Sequence, residues 1–169
     1  MGEGASSVYT ITQRTKAIMH KESAYYRSLI LEGNKERYSI HKPEHIIKNS
    51  CLIYGTNLDG GKQAVKDILN SSSKLPISIV PEGWLLMLPT ASMKNRDCVY
   101  IAYHHINFYE QRDDKTYIAF HDGTGIYVNI SESIFDIQYK RTSQVIVHLN
   151  WGVIFGRANY KWRAPDDRL

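Results

Sequence analysis

The sequence predicts an α+β fold, made mostly of antiparallel strands joined by hairpins. Two or three helices interrupt them, the last being C-terminal and amphipathic. Three observations predict this. Short runs of β-branched and aromatic residues recur along the chain, separated by turn residues rather than by long helical stretches. Asp122-Gly123 between two such runs is a tight hairpin signal. Ser131 then opens a segment whose apolar residues return at helical spacing.

Taken in order, Val8–Ile11 and Lys16–His20 read as short strands around a Gln13-Arg14-Thr15 turn. Tyr25–Leu31 and Arg37–His41 read as a hairpin, with Glu32-Gly33-Asn34-Lys35-Glu36 as its turn. Pro43 opens a helix, where its missing N–H costs nothing. Ile47, Cys51 and Tyr54 mark the inner face of that helix, and Gly55 closes it. Thr56–Gly61 reads as a loop and Lys62–Leu69 as a short helix, broken by Asn70-Ser71-Ser72-Ser73.

Pro76–Val80 and Trp84–Leu88 read as paired strands around Pro81-Glu82-Gly83. Pro89–Asp97 reads as a polar loop. Val99–Tyr109 reads as one long strand, followed by Lys115–His121 and Ile126–Ile130. The final helix runs from Ser131 to about Leu149, with Phe135, Tyr139, Ile146 and Leu149 as its apolar stripe and Arg141, Gln144 and His148 opposite. Residues 1–149 are expected to form one domain, with an irregular tail over 150–169.

The bulk chemistry narrows the function classes. Hydrophobic residues are 43% and charged residues 22%, which suits a globular chain. The formal charge of +4, from 21 Lys+Arg against 17 Asp+Glu, permits a polyanionic partner without demanding one. No apolar run reaches the ~20 residues of a membrane helix, and Met1–Ser7 lacks a leader's apolar stretch. A cytoplasmic location is expected. Cys51 and Cys98 stand alone, which suits a reducing compartment.

Signals for catalysis fail on inspection. In Gly60-Gly61-Lys62-Gln63 no Ser or Thr follows the lysine, so a nucleotide phosphate loop is not expected. His41 and His45 are separated by Pro43 and share no continuous helix face. His104 and His105, adjacent on a strand, should point to opposite faces. Asp113-Asp114 reads as a solvated turn. No catalytic residue, metal or cofactor is expected.

Binding signals are better. Asn57, Lys62, Gln63, Lys66 and Lys74 cluster around a glycine pair, a composition that suits phosphate contact and groove entry. Lys94 and Arg96 lie on a second polar loop, and Arg141 on the last helix. The tail interleaves Arg157, Lys161, Arg163 and Arg168 with Trp151, Tyr160 and Trp162, a pattern that stacks bases or packs as an arm.

The order of several short motifs resembles one family. Ser50-Cys51-Leu52-Ile53-Tyr54-Gly55 is similar to an RSC-x-x-(F/Y)-G helix end, and Gly60-Gly61-Lys62 stands where that family has G-R-K. Lys74-Leu75-Pro76-Ile77 resembles its K-P-P-I, and Leu86-Met87-Leu88-Pro89-Thr90 its F-(F/L)-F-P-T. Tyr100–Ile106 is similar to its W-I-x-x-H strand, and Phe120-His121-Asp122-Gly123 to its F-x-N-G hairpin. The family is that of the competence transcription factors, ComK. The resemblance implies a cytoplasmic, nucleoid-associated activator of DNA-uptake genes. It implies binding to A/T-rich boxes of double-stranded DNA, largely through the minor groove, as a dimer or tetramer and with no cofactor. It also implies an adaptor that takes the C-terminal segment to a protease. Asn57, Lys62, Gln63, Lys66, Lys74, Lys94, Arg96 and Arg141 are the expected DNA contacts. Two other readings stay open: an interaction module that modulates a true activator, and a LytTR-like DNA-binding domain.

Overall fold

The computed structural model describes residues 7–156. Nine strands form two antiparallel sheets, and three α-helices pack on them. The strands are β1 (Thr15–His20), β2 (Ser28–Glu32), β3 (Lys35–Ser39), β4 (Ile77–Ser78), β5 (Leu86–Pro89), β6 (Val99–Ala102), β7 (Ile106–Arg112), β8 (Lys115–Phe120) and β9 (Gly125–Val128). The helices are α1 (Pro43–Ile53), α2 (Leu58–Leu69) and α3 (Glu132–Leu149). The larger sheet runs β3-β2-β1-β6-β5-β4 and the smaller β7-β8-β9. The expected α+β class is therefore observed.

The larger sheet is the middle layer. Successive residues of a strand point to opposite faces. In this sheet Ile18, Met87 and Tyr100 pack toward α1, against Ile46, Ile47 and Cys51. Their neighbours Ala17, Leu88 and Ile101 pack the other way, against Ile118, Phe120 and Val128 of the smaller sheet and Phe135 of α3. Both faces are covered, which is why β5 and β6 are apolar at every position. Val65 of α2 and Val145 of α3 close a third cluster on Leu75 and Leu86.

Several expected elements take a different form. Val8–Ile11 is not a strand. Its backbone is satisfied by α1 instead: Ile11 N–H donates to Ser50 Oγ at 2.9 Å, and Tyr54 Oη donates to the Ile11 carbonyl at 2.8 Å. The β2–β3 turn is tighter than expected, with Glu32 and Lys35 still paired around Gly33-Asn34. The expected loop at Thr56–Gly61 is largely helix. Asn57 Oδ1 accepts Gly60 N–H at 3.0 Å and caps α2, so both glycines lie in its first turn. Helical apolar spacing at Leu58, Val65 and Leu69 outweighs the cost of two glycines.

The long strand expected over Val99–Tyr109 is broken. A 3₁₀ turn, Tyr103–His105, carries the chain from β6 in the larger sheet to β7 in the smaller one. His104 and His105 therefore do not point apart. Their Nε2 atoms lie 2.9 and 2.6 Å from the same carbonyl oxygen, that of Gln13. A carbonyl only accepts, so both rings carry their hydrogen on Nε2.

The sheets are also joined through Lys16. A bulge between Thr15 and Ala17 takes Lys16 out of the β1–β2 ladder. Its ammonium donates to Asp122 Oδ2 at 2.8 Å and Thr124 Oγ1 at 2.9 Å on the β8–β9 hairpin. The Lys16 hydrogen bond, followed by those from Thr124, holds the Asp122 carboxyl well below the usual carboxylate range. Gly83 shows why a glycine ends the β4–β5 turn. Its φ is +77°, and a Cβ there would sit 2.8 Å from Leu149 Cβ of α3.

The expected cap at Ser131 is present, its Oγ accepting Ile134 N–H at 3.4 Å. Beyond α3 a π-helical turn spans Gly152–Gly156, where the sequence suggests irregular chain. The tail residues Arg157, Tyr160, Lys161, Trp162, Arg163 and Arg168 lie outside the described residues.

Candidate nucleic-acid interface

Seven of the eight expected contact residues fall into two groups, and Asn57 stands apart as a helix cap. Lys62 reaches across from α2 to the 91–97 loop, its Nζ 3.9 Å from Met93 Sδ. That places Lys62 beside the loop carrying Lys94 and Arg96. Gln63 and Lys66 share α2 with Lys62, and Gln63 Nε2 donates to Asp67 at 3.1 Å.

Lys74 and Arg141 belong elsewhere, at the junction beyond the C-terminal end of α2. Arg141 is half-buried rather than on an open basic face. Its guanidinium donates to Gln138 Oε1 at 2.9 Å, to the Ser73 carbonyl at 2.9 Å and to Ser71 Oγ at 3.3 Å. Burial lowers its pKa from the ordinary arginine value. Lys74 is exposed, in left-handed backbone at φ +51°, and its carbonyl accepts Gln138 Nε2. The Asn57 side chain is occupied as the α2 cap.

Around Lys94 and Arg96 the structure assembles cations that sequence spacing kept apart. A cleft of about 310 Å³ is lined by Lys21 and Arg27 of the β1–β2 loop, by Lys42 before α1, and by Lys94 and Arg96. A second cleft shares Lys42 and Glu44 with it and adds His45 and Lys48 of α1. Together they hold six cations, Lys21, Arg27, Lys42, Lys48, Lys94 and Arg96, and two carboxylates, Glu22 and Glu44. The local excess is therefore four positive charges. Sequence reading missed Lys21, Arg27, Lys42 and Lys48 because each is single in its segment. Lys21, Arg27 and Lys42 sit just outside strand or helix ends, the one signal available, while Lys48 lies inside α1 and has none.

Both carboxylates are engaged. Glu22 Oε2 lies 2.9 Å from Arg96 Nη2. Glu44 Oε2 lies 3.2 Å from His20 Nε2 and accepts Tyr100 Oη at 3.3 Å. Burial, and then the charges of Cys98 and Glu44, push the Tyr100 hydroxyl far above its ordinary value, so it stays a donor. Of the other cations lining this cleft, Arg27, Lys42 and Lys94 are exposed and Lys21 is half-buried. An exposed ammonium or guanidinium held beside others of its sign is favourable to a polyanion and unfavourable to a neutral ligand.

Nothing here has the form of a catalytic centre. No group of three or more His, Cys, Asp or Glu able to hold a metal occurs among the described residues. His41 and His45 do come together, their rings stacked at 5.1 Å, although Pro43 lies between them. No helix among the described residues is long and apolar enough to cross a membrane.

Comparison with known proteins agrees with the motif order. A relative described as "Competence transcription factor" from Bacillus subtilis (strain 168) is 27% identical over 137 residues, 80% of this chain and 71% of the relative. No solved structure matches the chain significantly. The family model described as ComK protein matches residues 6–151, which include both sheets, all three helices and the basic clefts. The chain belongs to the ComK family.

Proposed function

We propose that this chain is a transcriptional regulator, an activator of competence genes that binds A/T-rich double-stranded DNA largely through the minor groove. Membership of the ComK family and the name of the Bacillus relative support the regulator reading. The observation that carries DNA binding is the gathering of six cations against two carboxylates in two adjoining clefts. Lysines and arginines that neutralise phosphates release counterions, which gives an affinity that falls steeply with salt.

In this reading the phosphate contacts are Lys62, Gln63, Lys66, Lys94 and Arg96 of the expected set, joined by Lys21, Arg27, Lys42 and Lys48. Asn57 and Arg141 hold the fold, the one as a cap and the other by tying α3 to the 71–73 segment. Lys74 lies outside this set. No catalytic role is assigned, and the site of action is the nucleoid. The exposed apolar run Trp151, Val153, Ile154 and Phe155 supports self-association as a dimer or tetramer. Adaptor-driven proteolysis would act through the C-terminal segment, most of which lies outside the described residues.

A gel-shift titration on an A/T-rich duplex at two salt concentrations tests the reading. Expected is binding that weakens by orders of magnitude from about 50 to 200 mM salt, as several phosphate contacts require. Binding without salt dependence, or absent at low salt, rejects it.

A further inference from the structure

The loop between β1 and β2 presents an arrangement that the fold does not need. Lys21 N–H donates to the Arg27 carbonyl at 2.9 Å and Arg27 N–H to the Ser39 carbonyl at 2.8 Å, which pins the base of the loop. Ser23 Oγ accepts from Tyr25 N–H at 3.2 Å and Tyr26 N–H at 3.3 Å, which folds its tip. The tip presents two aromatic rings, Tyr25 64% and Tyr26 37% exposed, both lining an open cavity of about 650 Å³ with Tyr9 and Tyr38. The rings meet edge to face at 4.9 Å, and Tyr26 leans on Tyr38 at 5.4 Å. Large apolar side chains held exposed on a fixed loop indicate a binding surface.

What binds there is set by the surroundings. Lys21 and Arg27 flank the tyrosines in sequence, and both also line the basic cleft with Lys42, Lys94 and Arg96. Lys21 Nζ lies 5.4 Å from the Tyr38 ring centre, so cation and aromatic surfaces are continuous. An aromatic tip beside a cleft lined by five cations fits a polyanion with flat apolar faces inside it.

We propose that the loop Lys21–Arg27 is the element that enters the minor groove, with Tyr25 and Tyr26 wedged against a base step. Lys21, Arg27, Lys94 and Arg96 hold the phosphates on either side. The proposal rests on the DNA-binding reading above and adds which residues sense the sequence. Apolar wedges in the minor groove partly unstack a step and kink the duplex, and TA and CA steps yield most easily. Preference for A/T-rich DNA then follows from deformability, with no base-edge hydrogen bond required. A tyrosine has few torsions to freeze, so little entropy is lost on contact.

The test uses the full chain and an A/T-rich duplex with 2-aminopurine at its central adenine. The wild-type protein is expected to raise the probe's fluorescence as the step unstacks. The Y25A/Y26A double variant is expected to keep its melting temperature, because both rings are exposed. It is expected to lose the fluorescence rise and about tenfold of the preference for A/T over G/C duplex. Its salt slope should stay unchanged, since no phosphate donor is removed. Y25F/Y26F, which keeps the rings, should retain the rise.

A double alanine variant with wild-type preference and fluorescence overturns the wedge while leaving DNA binding standing, and would mark the tyrosines as a surface for another protein. Wild-type binding with no fluorescence rise also overturns it. Failure of the wild type to bind duplex at low salt removes the DNA reading itself, a distinguishable result.

Discussion

Lys16 and Lys94 carry the same charge in two contrasting settings. Lys16 has 5% of its side chain exposed and is enclosed between the sheets by Asp122 and Thr124, with the Phe120 ring 5.3 Å away. Lys94 is exposed on the 91–97 loop and lines a cleft where cations outnumber carboxylates. Arg141 belongs with Lys16, since protein oxygens take up its donors. The contrast teaches that a cation's partner count, more than its presence on a basic segment, separates those that hold the fold from those free to meet phosphate.

The largest effect should come from breaking the enclosed side of this comparison. Asp122→Ala leaves the Lys16 ammonium buried with a single hydroxyl partner. It is expected to cost about 2–3 kcal/mol, the low end for an unpaired buried charge because Asp122 is itself partly exposed. Urea unfolding would measure this, and DNA salt dependence should not change. The pH dependence has a definite sign. The folded-state pKa of Asp122 is depressed, so its contribution is complete above the ordinary carboxylate value of about 4. That contribution fades as pH falls through that value toward the lower native one, and the Asp122→Ala protein should lack this part of the acid limb.

The open side should behave in the opposite way. Arg27→Ala with Arg96→Ala is expected to weaken DNA binding about tenfold at physiological salt and to lower the salt slope by about 2. Unfolding free energy should move by no more than about 0.5 kcal/mol, because both side chains are exposed. A large loss of stability would place these arginines with Lys16. Lys62→Ala and Lys66→Ala, tested singly, should each lower the slope by about 1. Unchanged slopes in both would move the interface off α2.

The smallest effect sharpens the comparison from the acidic side. Glu22 lies against Arg96, which the proposed function assigns to a phosphate. Glu22→Gln should therefore tighten DNA binding by about two- to threefold, read by titration, with stability unaltered. Weaker binding would show that Glu22 positions Arg96 instead of competing for it.

Much of the fold was legible where one residue type does one local job. Ser131 caps α3, Pro43 opens α1, Gly55 and Gly83 take left-handed backbone, and Asp122-Gly123 turns the β8–β9 hairpin. These signals act over a few residues and need no partner. Reading failed where distant chain decided the outcome. Val99–Tyr109 keeps its β-forming composition through Tyr103–His105, and only the existence of a second sheet explains the break. Gly60-Gly61 looked like a loop because propensity is summed locally, whereas Val65 is held by Leu75, Leu86 and Val145.

The site was legible only in part, for a related reason. Lys94 and Arg96 were visible as a polar loop, but the cleft they join is built from three separate segments. Lys21, Arg27 and Lys42 are ordinary single cations until the hairpin β1–β2 and the start of α1 converge on that loop. The tyrosine tip was hidden for another reason. Tyr25 and Tyr26 favour strands, so they read as the beginning of β2, which in fact starts at Ser28.

The 3₁₀ turn at Tyr103–His105 has a consequence for mechanics. It is one of three separate fastenings between the sheets, with Lys16 on the β8–β9 hairpin and α3 packed on both through Phe135 and Val145. Fastenings at several points oppose a swing of one sheet on the other. A body so braced presents its basic clefts rigidly. If the proposed DNA binding holds, curvature in the nucleic acid would come from the duplex, and sequences that bend cheaply would hold the advantage.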